Sequence, residues 1–147
     1  MATVYGVNKT KMNTPIGANL LDQGVNKGNV CFMYDTYEAS GLAAASVIEL
    51  CDVLPDGAVI TKMTLLTDDL QGSATVDIGD QEDDDRYASA VDISGQATTY
   101  IWPETAAAAN IANYGHQITA GTDDQIQLTV NTSAVTGTIK FGVEYSI

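Results

Sequence analysis

Ala58–Ser94 reads AVITKMTLLTDDLQGSATVDIGDQEDDDRYASAVDIS, and its apolar pattern sets the architecture expected of the whole chain. Two apolar runs, Val59–Leu66 and Ala74–Ile78, are joined by a segment carrying Asp68, Asp69 and Gly72. In the second run Ala74, Val76 and Ile78 fall on one side while Ser73, Thr75 and Asp77 fall on the other. A side-chain period of two is the mark of a strand with one buried and one wet face. The pair reads as a hairpin in the core of a β-sandwich or barrel. An acidic loop follows, with Asp80, Glu82, Asp83, Asp84 and Asp85 ahead of Arg86 and Tyr87.

Similar patterns lie on both sides. Val30, Phe32 and Tyr34 alternate with Cys31, Met33 and Asp35, which predicts a strand from Val30 to Tyr37 or Glu38. Val47–Val53 predicts a second, with Val47, Glu49 and Cys51 opposing Ile48 and Leu50. Leu54-Pro55-Asp56-Gly57 is a turn in which Pro presets φ and Gly takes the positive value. Ala88–Ile93 reads equally as a short strand or a turn of helix. Thr98–Trp102 is a strand closed by Pro103, and residues 104–113 are Ala-rich enough for about two helical turns. Residues 116–119 suit another short strand. Gln125–Val130 and Thr138–Tyr145 alternate cleanly. Short strands with turn signals every ~8–12 residues describe an all-β, antiparallel sandwich. Eight or nine strands, with at most one short helix, suit a jelly roll.

The chain of 147 residues is long enough for one domain with its own core. Nineteen acids against six bases give a net charge of −13. That excludes nucleic acid as a partner, because phosphate is bound through clustered Lys and Arg. The imbalance is uneven. Residues 1–29 hold three lysines and one aspartate, for +2, while residues 30–147 hold three bases and 18 acids, for −15. Gly and Asn crowd the first segment, so an extended N-terminal arm (1–29) on an acidic sandwich domain (30–147) is the expected organisation. Val4, Tyr5 and Val7 in that arm suit a short edge strand. The first residues lack an unbroken apolar stretch, and no run approaches the ~18 residues of a membrane span; neither secretion nor a membrane is expected. Cys31 and Cys51 lack metal-site spacing and behave as small hydrophobes, with a cross-strand disulfide left open.

Catalytic chemistry finds little to build on. The only histidine, His116, lies in a presumed turn, where a lone imidazole is usually solvated, and no nucleophile motif accompanies it. The carboxylates cluster in polar loops (68–69, 80–85, 123–124), not in the apolar pocket that a glycosidase acid requires; Glu49 and Asp77 are expected to point outward. No enzyme activity and no cofactor are expected. Asp80, Glu82, Asp83 and Asp85 form a weak calcium candidate, without the Gly and terminal Glu of an EF-hand. Charge-assisted contacts with basic groups of a neighbouring subunit are the other reading of that loop. Trp102, Tyr100, Tyr87 and Tyr114 read either as core packing or as a sugar-binding platform.

Four stretches carry a resemblance. They are Met1-Ala2-Thr3-Val4-Tyr5-Gly6, Leu54-Pro55-Asp56-Gly57-Ala58, Ile78-Gly79-Asp80 with Asp83-Asp84-Asp85-Arg86-Tyr87, and Thr136-Gly137-Thr138-Ile139-Lys140. In these the chain resembles the small acidic decoration, or cement, proteins of tailed-bacteriophage capsids. The resemblance implies a jelly-roll sandwich on the outer head surface, made in the host cytoplasm. It would act as a homodimer or homotrimer that bridges major capsid proteins. It also implies that Val4, Tyr5, Lys9 and Lys11 of the arm, with Asp80, Asp83, Asp84, Asp85, Arg86 and Tyr87 of the loop, make the contacts. A tail, neck or fibre component of the same virion would share fold and composition, and a carbohydrate-binding module is the other alternative, one that would bring exposed aromatics.

Overall fold

The computed structural model describes residues 29–70, 72–102, 113–132 and 134–147. The expected strand at Val4–Val7 and nearly all of the expected helix at 104–113 lie outside them. The described chain is all-β. Its strands are β1 (Val30–Leu42), β2 (Val47–Glu49), β3 (Val59–Thr67), β4 (Thr75–Gly79), β5 (Ala88–Asp92), β6 (Ala97–Trp102), β7 (Gln127–Val130) and β8 (Val135–Ser146).

Two four-stranded antiparallel sheets form, ordered β1-β8-β3-β6 and β2-β7-β4-β5. The first strand pairs with the last, the second with the seventh, the third with the sixth and the fourth with the fifth. That nesting is what results when one long hairpin is wrapped around a barrel axis. It is the wiring of a jelly roll, whose two layers bury each other's inner faces.

The core is built from the alternation. Ile126, Leu128 and Val130 on and before β7, Val76 and Ile78 on β4, and Ile139, Phe141 and Val143 on β8 are all essentially inaccessible. Each such side chain contributes about 1.5–3 kcal/mol by leaving water.

The hairpin expected across 58–78 does not exist. β3 lies between β8 and β6 in one sheet, and β4 between β7 and β5 in the other. The segment between them carries the chain across the sandwich. Leu70, in its middle, is fully buried. Its Cδ2 would sit 2.8 Å from a β-carbon placed on Gly137. Asp68 closes the crossing by donating its N–H to the Thr138 carbonyl at 3.0 Å and accepting the Thr138 N–H through Oδ2 at 3.2 Å. Asp68, Asp69, Gly72 and Ser73 stay exposed, so the connection passes over the end of the sandwich with Leu70 plugged into the core.

Three other expectations change in detail. β2 stops at Glu49 because Cys51 takes a φ of 64°, although Ile48 and Leu50 do point inward. Ala88–Asp92 is a strand, kinked where Ala90 has a φ of 53°. Residues 116–119 contribute only a single bridge, Gln117 to Val59.

Candidate partner-binding surface

The acidic loop leaves β4 at Gly79, where the backbone doubles back on itself. A β-carbon there would stand 2.0 Å from the Asp83 carbonyl oxygen, so the approach needs glycine. Asp80 turns inward and is 1% exposed. Its Oδ1 accepts the N–H groups of Glu82 and Asp83 at 3.0 and 3.1 Å, and Oδ2 takes Arg86 Nε at 2.5 Å. Arg86 Nη2 adds a contact of 3.3 Å to Oδ1. Burial opposes the guanidinium charge, but the hydrogen bond and charge of Asp80 outweigh it and hold the Arg86 pKa above its ordinary value. Tyr87 follows, 1% exposed, its phenol pushed up by burial and then by the Asp80 charge.

The six loop residues singled out from sequence therefore divide in two. Asp80, Arg86 and Tyr87 shape the loop from inside. Asp83 is half-buried, Asp84 and Asp85 are exposed, and the three carboxylates lie within 4.8 Å of one another. The calcium candidate divides the same way, since Asp80 is spent on Arg86 and on backbone N–H groups, away from the outward trio. The arm residues Val4, Tyr5, Lys9 and Lys11 lie outside the described residues.

A second acidic segment abuts the loop. Gln81 donates through Nε2 to Asp124 Oδ1 at 3.1 Å and accepts the Gln125 N–H through Oε1 at 3.0 Å. The Gly121 N–H, then Gln81, hold the Asp124 carboxyl below its ordinary value. His116 is not the solvated loop imidazole expected. Its Nε2 meets Oδ2 of buried Asp123 at 2.5 Å, while Asp123 Oδ1 accepts the Thr119 N–H at 2.6 Å. Asp80, Asp123 and Asp124 are all buried, contrary to the expectation that the loop acids stay in water. They are consumed by local N–H donors, Arg86 and His116, so they tie two loops together at one end of the sandwich.

Asp77 faces the outer side of its sheet, where Oδ1 accepts the Ala90 N–H at 2.6 Å and so fixes the kink in β5. The aromatic platform is not assembled as a unit. Tyr87 is core, whereas Tyr100 is 51% exposed on β6.

The surface that sequence reading missed is the outer face of the β1-β8-β3-β6 sheet. Val30, Phe32 and Tyr34 are each about two-thirds exposed, at 67%, 64% and 65%, and Leu66 and Tyr100 join them from β3 and β6. Phe32 lays its ring over Gly142, 3.0 Å from where a β-carbon would stand. Beside it runs a groove of about 390 Å³ lined by Tyr34, Thr64, Leu66 and Lys140. The signal was present in Val30-Cys31-Phe32-Met33-Tyr34, which is apolar at both parities. A strand apolar on both faces cannot hide both in a two-layer sandwich.

By sequence, the chain matches no family profile and no curated protein. By structure, it is similar to a chain of the cyanophage Pam1 capsid asymmetric unit, with a TM-score of 0.64 at 21% identity over 87% of this chain and 92% of that one. A chain of the Ralstonia phage GP4 capsid is similar with a TM-score of 0.57 at 20% identity, over 81% of this chain and 84% of that one. What the three chains share is the fold, along nearly their whole lengths.

Proposed function

We propose that the chain is a structural component of a phage virion, and within it a decoration (cement) protein bound to the outer surface of the head. The observation that carries this reading is the jelly roll shared with chains of two phage capsids over more than four-fifths of the chain. The composition agrees. A body at −15 with Asp83, Asp84 and Asp85 outward suits charge-assisted contacts with basic groups of a capsid subunit. The acids that a catalytic site would need buried and poised are instead engaged by Arg86, His116 and backbone N–H groups.

The mechanism is mechanical. Each copy bridges neighbouring capsid subunits, and many weak, repeated contacts add through multivalency to resist the pressure of packaged DNA. The test is to rebind purified protein to expanded capsids stripped of it and to follow their rupture temperature. Saturable rebinding with a raised rupture temperature is expected. Absence from purified heads, with presence in the tail fraction, would overturn the head assignment in favour of a tail, neck or fibre role.

A further inference from the structure

We propose that the outer face of the β1-β8-β3-β6 sheet binds the same face of a second copy of this chain, across a two-fold axis lying over Gly142. Three observations lead there. First, the face is apolar where a monomer has no use for it, with Phe32, Tyr34, Leu66 and Tyr100 all exposed. Second, it is the place where the charge of the body is balanced. Of the three bases in residues 30–147, Arg86 is folded onto Asp80, and both others, Lys62 and Lys140, stand on this face. They share it with Glu38 and Glu144, and with Asp68 at the end of β3 beside Lys140. Two copies of a −13 chain repel through most approaches, and this approach brings together surfaces that are nearly neutral.

Third, the register makes the face complementary to itself. Gly142 lies in one row with Tyr34, Thr64 and Tyr100. Lys140 and Glu144 lie two residues to either side of it on β8, pointing the same way. A two-fold axis between the sheets, crossing the strands over Gly142, exchanges those two positions. Lys140 of each copy then faces Glu144 of the other, and Tyr34 and Tyr100 meet their own counterparts. This is the reciprocity an isologous contact requires. Glu144 is available for it, because its own pair with Lys62 is long, at 3.9 Å, and more than a third exposed. Lys140 is exposed and, among the described residues, has no carboxylate within ion-pair distance.

The test is sedimentation of the full chain at micromolar concentration. The wild type is expected at twice the 15.5 kDa monomer mass. Lys140→Glu and Glu144→Lys should each weaken association by more than about tenfold, because each puts like charges opposite one another twice. The double reversal K140E/E144K should restore the dimer. Circular dichroism confirms that each exposed substitution leaves the fold intact. A monomeric or trimeric wild type overturns the proposal, as does a double reversal that stays monomeric or single reversals that remain dimers. Capsid rebinding is read separately. A monomer that still rebinds capsids sinks only the dimer, and a dimer that does not rebind sinks only the decoration reading.

Discussion

Arg86 reaches back six residues to grip both oxygens of Asp80, Nε to Oδ2 at 2.5 Å and Nη2 to Oδ1 at 3.3 Å. The side chains are 12% and 0% exposed, so this is a buried pair and not a surface ion pair. Removing the cation alone leaves a carboxylate stranded in the protein with, among the described residues, two N–H donors. Arg86→Ala is expected to cost about 3 kcal/mol of stability in urea denaturation, and Arg86→Lys somewhat less, since an ammonium cannot reproduce the fork. Replacing exposed Asp84 and Asp85 by Asn should change stability by no more than about 0.5 kcal/mol each. A loss below about 1 kcal/mol for Arg86→Ala would show the pair to be dispensable.

The tight return at Gly79 makes a sharper distinction among glycines. A β-carbon would meet three backbone atoms of Asp83 and Asp84 at 2.0–2.6 Å, and backbone cannot swing aside as a side chain can. Gly79→Ala should therefore destabilise by about 3 kcal/mol or displace the acidic loop. Gly95→Ala, where nothing lies within 4 Å of the added carbon, is the matched control. Its expected change stays within about 0.5 kcal/mol. Equal thermal midpoints for the two variants would contradict the packing described.

Much of the fold was legible because period-two alternation is a local property. Ile126, Leu128 and Val130 announced their burial without reference to any neighbour, as did Ile139, Phe141 and Val143. Which strands pair is not local. Val59–Leu66 and Ala74–Ile78 read as a hairpin because turn-forming residues lie between them. The single apolar residue there, Leu70, was the clue that the connection passes between the sheets and caps the core. The acidic loop was half legible. Its composition marks it as charged, but only three-dimensional placement decides that Asp80 turns in while Asp83, Asp84 and Asp85 turn out. The aromatic face of β1 was not legible because Val30–Tyr34 is apolar at both parities, and alternation alone does not say which parity faces water.

Leu70→Ala tests the crossing directly. A fully buried leucine held against Gly137 leaves a cavity when truncated, so a loss of about 2–5 kcal/mol is expected by chemical denaturation. A leucine at the tip of an exposed hairpin would lose no more than about 0.5 kcal/mol on the same change. The two topologies thus differ by several-fold in one measurement.

Asp35 and Cys51 allow a prediction about pH. Asp35 sits on the inner side of edge strand β1, where Oδ1 accepts the Thr36 N–H at 2.7 Å and Oδ2 the Cys51 N–H at 3.1 Å. An inward-facing charge that occupies an edge N–H discourages further strands from pairing there. Burial, and then the Asp35 charge, push the Cys51 thiol from 9.0 up to about 11. At pH 8 its thiolate fraction should be about 100-fold below that of a thiol at the ordinary value, and its alkylation by iodoacetamide about tenfold slower, because a more basic thiolate is also the better nucleophile. Asp35→Asn removes the second cause and should raise the rate several-fold, read by peptide mapping of Cys51. The folded state also holds this proton more tightly than the unfolded state between about pH 9 and 11. The sign is therefore a loss of stability as pH rises through that window. Alkylation of Cys51 at the rate of an ordinary free thiol, unchanged by Asp35→Asn, would mean that neither burial nor Asp35 governs it.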